Sequence, residues 1–367
     1  MAQKLLLVLF FTLGFYNLYA SDAVSEEGKI DQTAFIMGHI RDSHSFHICD
    51  IDGHAVGVSL PVILWSEGKL VTFMSGEFHH DTEGHHVVEK DGQRFVLYFD
   101  GFNEKVYKAT DEAQEDGSYL LRDENGKVIS ETPLDFSITK NVVTLIMVVV
   151  VMLAIFVTMG AFYRKKSNVA KAPRGIASLF EPLVIYIRDE RALPNIGEKH
   201  YKKYTPYLLT LFFFVMFTNL FGLIPFFPFG ANISGNTSYS MALALLTFII
   251  VQFSGTKAYW KEIVSMPGVP KPVMLILAPV EFLGLFTKPF ALTIRLFAAI
   301  MGGHIIILSL LLLIFMFKMW VVVPASGIFI SFMYLIEILV AVIQAYIFTL
   351  LTALYIGMAK VEEHEHH

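Results

Sequence analysis

The sequence predicts an all-α, multi-span membrane protein with about five membrane helices, one interfacial helix and a small exported N-terminal domain that is β-rich or irregular. Three observations predict this fold class. Apolar residues make up 54% of the 367 residues, which is more than is usual in a soluble protein. Long uncharged runs dominate the chain from residue 141 onward. Residues 21–140 are instead densely charged and hold eight of the thirteen histidines.

The first 20 residues are typical of a secretory signal peptide. Lys4 precedes an apolar core from Leu5 to Phe15, and the small Ala20 stands before Ser21. We expect cleavage after Ala20, because the apolar core is short for a spanning helix. A retained membrane anchor is the alternative. Either way, the residues that follow are expected outside the cytoplasm.

The region 21–140 is predicted to be this exported, periplasmic domain. It contains short runs rich in β-branched and aromatic residues, separated by Asp-Gly and Asn-Gly turn signals. We expect a hairpin tip at 123–127. Cys49 is the only cysteine of the chain, so no intrachain disulfide can stabilise the domain. The predicted strand runs are VGVSLPVILW, KLVTFM, RFVLYF and KVYKA.

Residues 141–163 form the first predicted membrane helix. This uncharged run has 23 residues, enough to span roughly 30 Å of hydrocarbon. Arg164-Lys165-Lys166 follows directly, and the positive-inside rule places this end in the cytoplasm. The signal peptide independently places the preceding domain outside, so the two orientation signals agree.

Residues 164–204 are predicted to be a cytoplasmic loop with an amphipathic helix. Phe180, Leu183, Val184 and Ile187 recur there at helical spacing among charged residues. We therefore expect this helix to lie at the membrane interface.

The membrane domain is predicted to extend over 205–360. Its first two spans are expected at about 205–227 and 239–255, joined outside by an uncharged polar turn. Residues 361–367 are expected to be a cytoplasmic tail.

Two later runs are too long for upright spans. Residues 272–317 and 321–359 would measure roughly 69 and 58 Å as helices, about twice the hydrocarbon thickness. Each run is therefore either broken or steeply inclined, and the two would form a hairpin turning near 318–324. Pro279 and Pro289 permit kinks in the first run, whereas the second favours one long inclined helix.

The potentially charged residues of the first run are Glu281, Lys288, Arg295 and His304. Glu337 is the sole acid of the second run, and Gln344 follows it by seven residues. An arginine at the bilayer centre costs about 2.5–3.5 kcal/mol on insertion scales, so Arg295 is a functional candidate. In an antiparallel hairpin, Arg295 with Gln344 and His304 with Glu337 would fall at nearly the same register. Glu337 and Gln344, seven residues apart, share one helical face. For His304 the structural alternative is a polar residue satisfied within the fold.

The sequence around these positions resembles subunit a of the F-type ATP synthase. The resemblance rests on KPFALTIRLFAAIMGGH (288–304) and EILVAVIQAYIFTLLTALYIGMA (337–359), and it covers about 170–360. FTNLFGLIP and GANISGNTSYSMALAL support it. The N-terminal domain is longer than in most members, and its PLDFSITKNV and GEFHHDTEGHH segments resemble versions from the Bacteroidetes group.

The resemblance implies roles for five residues. Arg295 matches the essential arginine that faces the ring of c subunits, and Gln344 matches the glutamine beside it. His304 and Glu337 match a pair of ionisable positions in the outer half-channel, and Asn219 matches a polar channel-lining position. Many members have Gly-Asn where this chain has Ala298-Ala299, and some have an aspartate in place of Gly222, which leaves the remaining path residues open.

The resemblance also implies a proton-conducting subunit that is not itself an enzyme and needs no cofactor. Protons would pass through two half-channels to and from a carboxylate of the c ring, coupling their flow to rotation and ATP synthesis. Sodium is the alternative ion. The implied partners are the c ring, the b subunits of the peripheral stalk, the remaining ATP synthase subunits and the bilayer of the cell inner membrane, with no nucleic acid.

Two other hypotheses belong to different classes. A secondary ion-coupled transporter with a midplane Arg/His/Glu cluster should show internal repeats, and the sequence has none. A membrane-anchored periplasmic metal-binding sensor could use the histidines of 44–50 and 79–86 as zinc or copper ligands. We favour solvated loops there and predict no metal site. A sensor would also need no charges within its spans.

Overall fold

The computed structural model describes residues 36, 40–51, 54–100, 103–114, 116–123, 126–164, 175–224, 229–264, 270–317 and 322–360. The expected signal peptide and C-terminal tail lie outside these residues. Within them, five helices are long and apolar enough to cross a membrane, and the N-terminal region is small and rich in strands. The predicted fold class is confirmed.

The chain forms two compact units. The first comprises 1–146, 223–232 and 303–335, and the second comprises 147–222, 233–302 and 336–367. Each long helix near the C-terminus contributes residues to both units.

In the part of the first unit that the structure describes before helix α1 (Lys140–Arg164), eight short strands are found. They pair antiparallel in three small sheets with the orders β1-β2, β4-β3-β8 and β5-β6-β7. Phe78 and Phe95, both fully buried, belong to the core between these strands. The bounds are β1 Ser45–Ile51, β2 His54–Ser59, β3 Pro61–Ser66, β4 Lys69–Met74, β5 Val88–Lys90, β6 Gln93–Phe99, β7 Glu104–Lys108 and β8 Leu134–Asp135.

Turn chemistry accounts for two of the strand junctions. Asp91 and Gly92 join β5 to β6 with φ of 53° and 74°, as a two-residue hairpin turn with both central residues at positive φ requires. The predicted run VGVSLPVILW is divided at Leu60, whose N–H bonds to the hydroxyl of Ser75 (3.0 Å), and β3 begins at Pro61. Proline lacks an N–H group and is tolerated as the first residue of a strand.

Within the described residues, seven helices of eight or more residues follow. A six-residue π-helical segment, Ile187–Ala192, and a helical turn, Leu193–Ile196, extend α2. Phe180 and Ile187 of the predicted amphipathic helix are buried, as their spacing indicates. The bounds are α1 Lys140–Arg164, α2 Ile176–Tyr186, α3 Tyr201–Gly222, α4 Thr237–Ser254, α5 Lys257–Val264, α6 Lys271–Phe317 and α7 Val322–Ala359.

Both long runs are single helices. The 47 residues of α6 and the 38 residues of α7 correspond to roughly 70 and 57 Å at 1.5 Å per residue. A hydrocarbon layer of roughly 30 Å can accommodate such helices only if they are inclined or extend beyond it. Pro279 and Pro289 lie inside α6 without ending it.

Aromatic rings fill part of the core of the second unit. Phe213 is fully buried, and its ring centroid lies 4.7 Å from that of Phe156 and 5.7 Å from that of Phe180. These rings come from α3, α1 and α2, so they pack the three helices together. Residues of α4, α6 and α7 extend the same core.

Candidate functional site

Asn219 of α3 is buried, with 2% of its surface exposed, and both ends of its amide are used. Its Nδ2 donates a hydrogen bond to the main-chain oxygen of Ala341 in α7, at 3.1 Å. Its Oδ1 accepts a hydrogen bond from the hydroxyl of Ser234, at 2.5 Å. The predicted channel-lining residue therefore joins α3, the turn before α4 and α7.

Ala341 lies on the face of α7 that carries Glu337 and Gln344, which we call the polar stripe. It follows Glu337 by four residues and precedes Gln344 by three, so all three share one side of the helix. Glu337 is buried, with 3% exposed, and Gln344 is half-buried. The stripe predicted from sequence thus lies on the side of α7 that Asn219 contacts.

Arg295 of α6 differs from the buried Asn219 and Glu337 in its exposure. It is exposed, whereas Leu292 and Leu296, on the adjoining face of the helix, are buried in the core of the second unit. Ile294 and Phe290 beside it are also exposed. Among the residues that the structure describes, no carboxylate forms an ion pair with Arg295. A permanent cation therefore projects from an apolar face of this chain.

Two predicted pairings stay predictions. Within the described residues no hydrogen bond joins Arg295 to Gln344, although both belong to the second unit. His304 is half-buried on α6 and belongs to the first unit, whereas Glu337 belongs to the second.

Several polar residues near Asn219 escaped prediction individually. The hydroxyls of Thr218 and Tyr239 lie 3.0 Å apart, and the hydroxyl of Ser240 donates to the main-chain oxygen of Ser234 at 3.0 Å. Asn236 caps α4 by accepting from the N–H of Ser238 at 2.9 Å. The uncharged polar run GANISGNTSYS predicted a turn at this place in the sequence. It did not indicate which of its side chains form hydrogen bonds.

The histidine-rich loop brings two of its rings together. The ring centroids of His79 and His86 are 4.6 Å apart in an edge-on arrangement, and His85 Nδ1 lies 3.6 Å from a carboxylate oxygen of Glu83. Across the described part of the chain, no three His, Cys, Asp or Glu side chains converge as metal ligands. The side chain of Cys49 lies outside the described residues.

A buried charged cluster in the first unit was not predicted. His44 is 2% exposed; its Nδ1 lies 3.5 Å from a carboxylate oxygen of Glu104 and its Nε2 lies 3.4 Å from one of Asp135. Burial alone would lower the pKa of His44, but hydrogen bonds and charges from Asp135 and Glu104 outweigh it and raise that pKa to about 9. The ring is therefore a cation at neutral pH.

Asp42 connects this cluster to α1. One of its carboxylate oxygens accepts from the N–H of Asn141 at 3.0 Å, and the other accepts from the hydroxyl of Thr139 at 2.8 Å. The first N–H groups of a helix lack partners within the helix and attract negative charge. Asp42 therefore fixes the strand-rich N-terminal domain to the start of α1.

Comparison with known proteins identifies the family. Residues 142–357 match the family described as the ATP synthase A chain, which is more than half of the chain. The chain belongs to the ATP synthase A chain family. The motif resemblance to subunit a is thereby confirmed, and the transporter and sensor hypotheses are not favoured. Residues 35–136 match a separate family, described as a domain of unknown function (DUF8433).

Similar A chain proteins are found in several bacteria. The ATP synthase subunit a of Chloroherpeton thalassium is 46% identical over 232 residues, covering 62% of this chain and 68% of the relative. The ATP synthase subunit a 2 of Chlorobaculum tepidum is 45% identical over 238 residues, covering 63% and 66%. The ATP synthase subunit a of Anaeromyxobacter dehalogenans is 44% identical over 256 residues, covering 67% and 64%. The chain thus spans about two thirds of the length of these relatives.

Proposed function

We propose that this chain is the proton-translocating subunit a of an F-type ATP synthase. The observation that carries the proposal is the exposed Arg295, a fixed cation on an apolar helix face in a chain of the A chain family. The subunit conducts protons and catalyses no reaction of its own. ATP chemistry belongs to its partner subunits.

The guanidinium of Arg295 acts on a carboxyl group of a neighbouring subunit. A carboxylic acid that faces lipid keeps its proton, because loss of hydration raises its pKa. Beside a permanent cation the carboxylate is favoured, so the proton leaves. Arg295 therefore forces each arriving c-subunit acid to ionise, and its charge also repels protons that would leak past. We assign Gln344 as the partner of Arg295 in the assembled complex, although no hydrogen bond joins the two within the described residues.

The remaining polar residues provide the path. Glu337 and His304 carry protons from the outside toward the ring, and Asn219 supports the polar side of α7 at Ala341. After nearly a full rotation, the proton is released at Arg295 into an inner half-channel. Carboxyl and imidazole groups suit this role because both can gain and lose a proton.

Orientation and partners follow from the same assignment. The signal peptide is removed after Ala20, the domain 21–140 lies in the periplasm, and Arg164 marks the cytoplasmic end of the first helix. The protein lies in the cell inner membrane with a cytoplasmic C-terminus. The c ring, the b subunits and the remaining ATP synthase subunits are its partners.

ATP-driven proton pumping in vesicles tests the proposal. We expect Arg295→Ala, in the assembled and reconstituted ATP synthase, to abolish acidification of the vesicle interior, because ring carboxylates then keep their protons. Lys202→Ala removes an exposed cation of α3 and should pump normally. Normal pumping by Arg295→Ala would contradict the proposal. A sensor would not respond to this change, and a secondary transporter would move protons without ATP.

A further inference from the structure

A cavity of about 590 Å³ lies between α1, α2 and α3 in the second unit. Its wall is apolar over most of its length, with Met152, Phe156 and Met159 of α1 facing Leu209 of α3. Gly160 leaves further room, since a Cβ atom there would meet nothing within 4 Å. This space is unrelated to the polar stripe of α7.

One end of the cavity is polar. Tyr163, which lines it, donates its hydroxyl to a carboxylate oxygen of Glu181. Tyr163 and Arg164 are the last residues of α1, and tyrosine and arginine at the end of a span mark the level of the lipid headgroups. The apolar part of the cavity therefore extends into the hydrocarbon, and its polar end lies among headgroups.

The charges at the polar end favour a cationic group. Arg188 also lines the cavity, but its Nε and Nη2 donate to the carboxylate of Asp189 at 2.6 and 2.9 Å. That cation is thus neutralised, with only Nη1 outside the pair. Within the described residues Glu181 has no cationic partner. Among the described residues that line the cavity, Glu181 therefore carries the one charge without an opposite charge paired to it.

We propose that this cavity binds an amine-bearing phospholipid of the phosphatidylethanolamine type. One acyl chain fills the apolar part, the ammonium group donates hydrogen bonds to Glu181, and the phosphate lies beside Nη1 of Arg188. The volume equals roughly twenty water-sized groups at about 30 Å³ each, which is the size of one acyl chain.

Native mass spectrometry of the purified full-length chain tests the site. Equal amounts of phosphatidylethanolamine, phosphatidylglycerol and phosphatidylcholine are added in detergent. We expect phosphatidylethanolamine to be retained on the order of tenfold better than the others, because only its headgroup combines a positive charge with N–H donors. Glu181→Gln should abolish this preference. Glu190→Gln, which changes an exposed acid outside the cavity, should leave it unchanged.

A second variant tests the apolar part. Gly160→Leu places a side chain in the open space and also favours the helix, so it should exclude the lipid without unfolding the protein. Val157→Leu, at an exposed position outside the cavity lining, is the matched control. Equal retention of the three lipids, or unchanged binding by both Glu181→Gln and Gly160→Leu, would overturn the proposal. Loss of the lipid when the ATP synthase assembles would assign the cavity to a partner helix instead and would overturn it too.

Discussion

Asn219 and Ala341 are joined by a hydrogen bond of 3.1 Å from the side-chain amide of α3 to a main-chain oxygen of α7. The acceptor lies between Glu337 and Gln344 on the polar stripe. A helix carbonyl normally accepts only from the N–H four residues later, so its second lone pair is free for this bond. The contact therefore holds α3 against α7 at the level of the proposed proton path.

Replacing Asn219 should weaken this contact. We expect Asn219→Ala to lower the free energy of unfolding by about 1–2 kcal/mol, because the hydroxyl of Ser234 loses its acceptor inside the core. The thermal unfolding midpoint of the detergent-solubilised chain measures the loss. Thr158→Val removes a hydroxyl whose hydrogen bonds to described residues all lie within its own helix, and it should cause a smaller shift. Equal shifts for the two variants would show that the contact is not specific.

Glu337 should be required as a proton carrier and not only as a polar residue. We expect Glu337→Gln to reduce the rate of proton-driven ATP synthesis by roughly a hundredfold or more, since an amide cannot exchange protons as a carboxyl group does. Glu337→Asp should retain part of the rate. Synthesis is measured in vesicles under an imposed pH gradient, with Glu198→Gln as an exposed control. A Gln variant as active as the Asp variant would remove Glu337 from the path.

His44 should make the stability of the strand-rich N-terminal domain depend on pH. Its pKa of about 9 in the folded domain exceeds the ordinary value of 6.5, so its contribution is fully present below pH 6.5 and is lost as pH rises through 9. The shift corresponds to at most about 3 kcal/mol. Asp135, Glu104, Asp42, Arg41 and Lys140 are the charged groups around it.

The urea midpoint of the domain, followed by Trp65 fluorescence, tests this expectation. The full chain is used with Trp260 and Trp320 replaced by phenylalanine, leaving Trp65 in β3 as the only tryptophan. We expect the midpoint to fall between pH 6.5 and 9 in this chain and to stay level after His44→Gln. His85→Gln, which changes a half-exposed histidine, should keep the fall. A level midpoint in the parent would show that His44 does not gain its proton on folding.

The membrane helices could be predicted from sequence, and Arg295 could be singled out as a candidate, because each has a local signal. A run such as 141–163 is long and uncharged enough to define a span by itself, and Arg295 is conspicuous inside an apolar run. The partners of the buried polar groups have no such signal. Asn219 bonds to a main-chain oxygen 122 residues away, and an alanine there gives no indication of it.

The same reason explains the other features that sequence did not reveal. His44 stood in a histidine-rich stretch that suggested metal ligands, but its partners Glu104 and Asp135 lie 60 and 91 residues along the chain. The cavity lined by Glu181 depends on how three helices pack, and the hydrophobic pattern of each helix gives only its buried side. Tertiary contacts, not local propensity, decide these features.

Replacing Gly357 should destabilise the protein because a side chain there would clash with the main chain, whereas replacing Gly284 should not. A Cβ atom at Gly357 would lie 2.0 Å from the main-chain oxygen of Asn195, so any side chain must displace either α7 or the turn Leu193–Ile196. We expect Gly357→Ala to lower the unfolding free energy by about 1–3 kcal/mol, as overpacking does. At Gly284 of α6 a Cβ atom meets nothing within 4 Å, so Gly284→Ala should be neutral or slightly stabilising. Comparing the thermal unfolding of the two variants separates the steric effect from the general gain in helix propensity. A Gly357→Ala chain as stable as the parent would show that the main chain at Asn195 can move away at little cost.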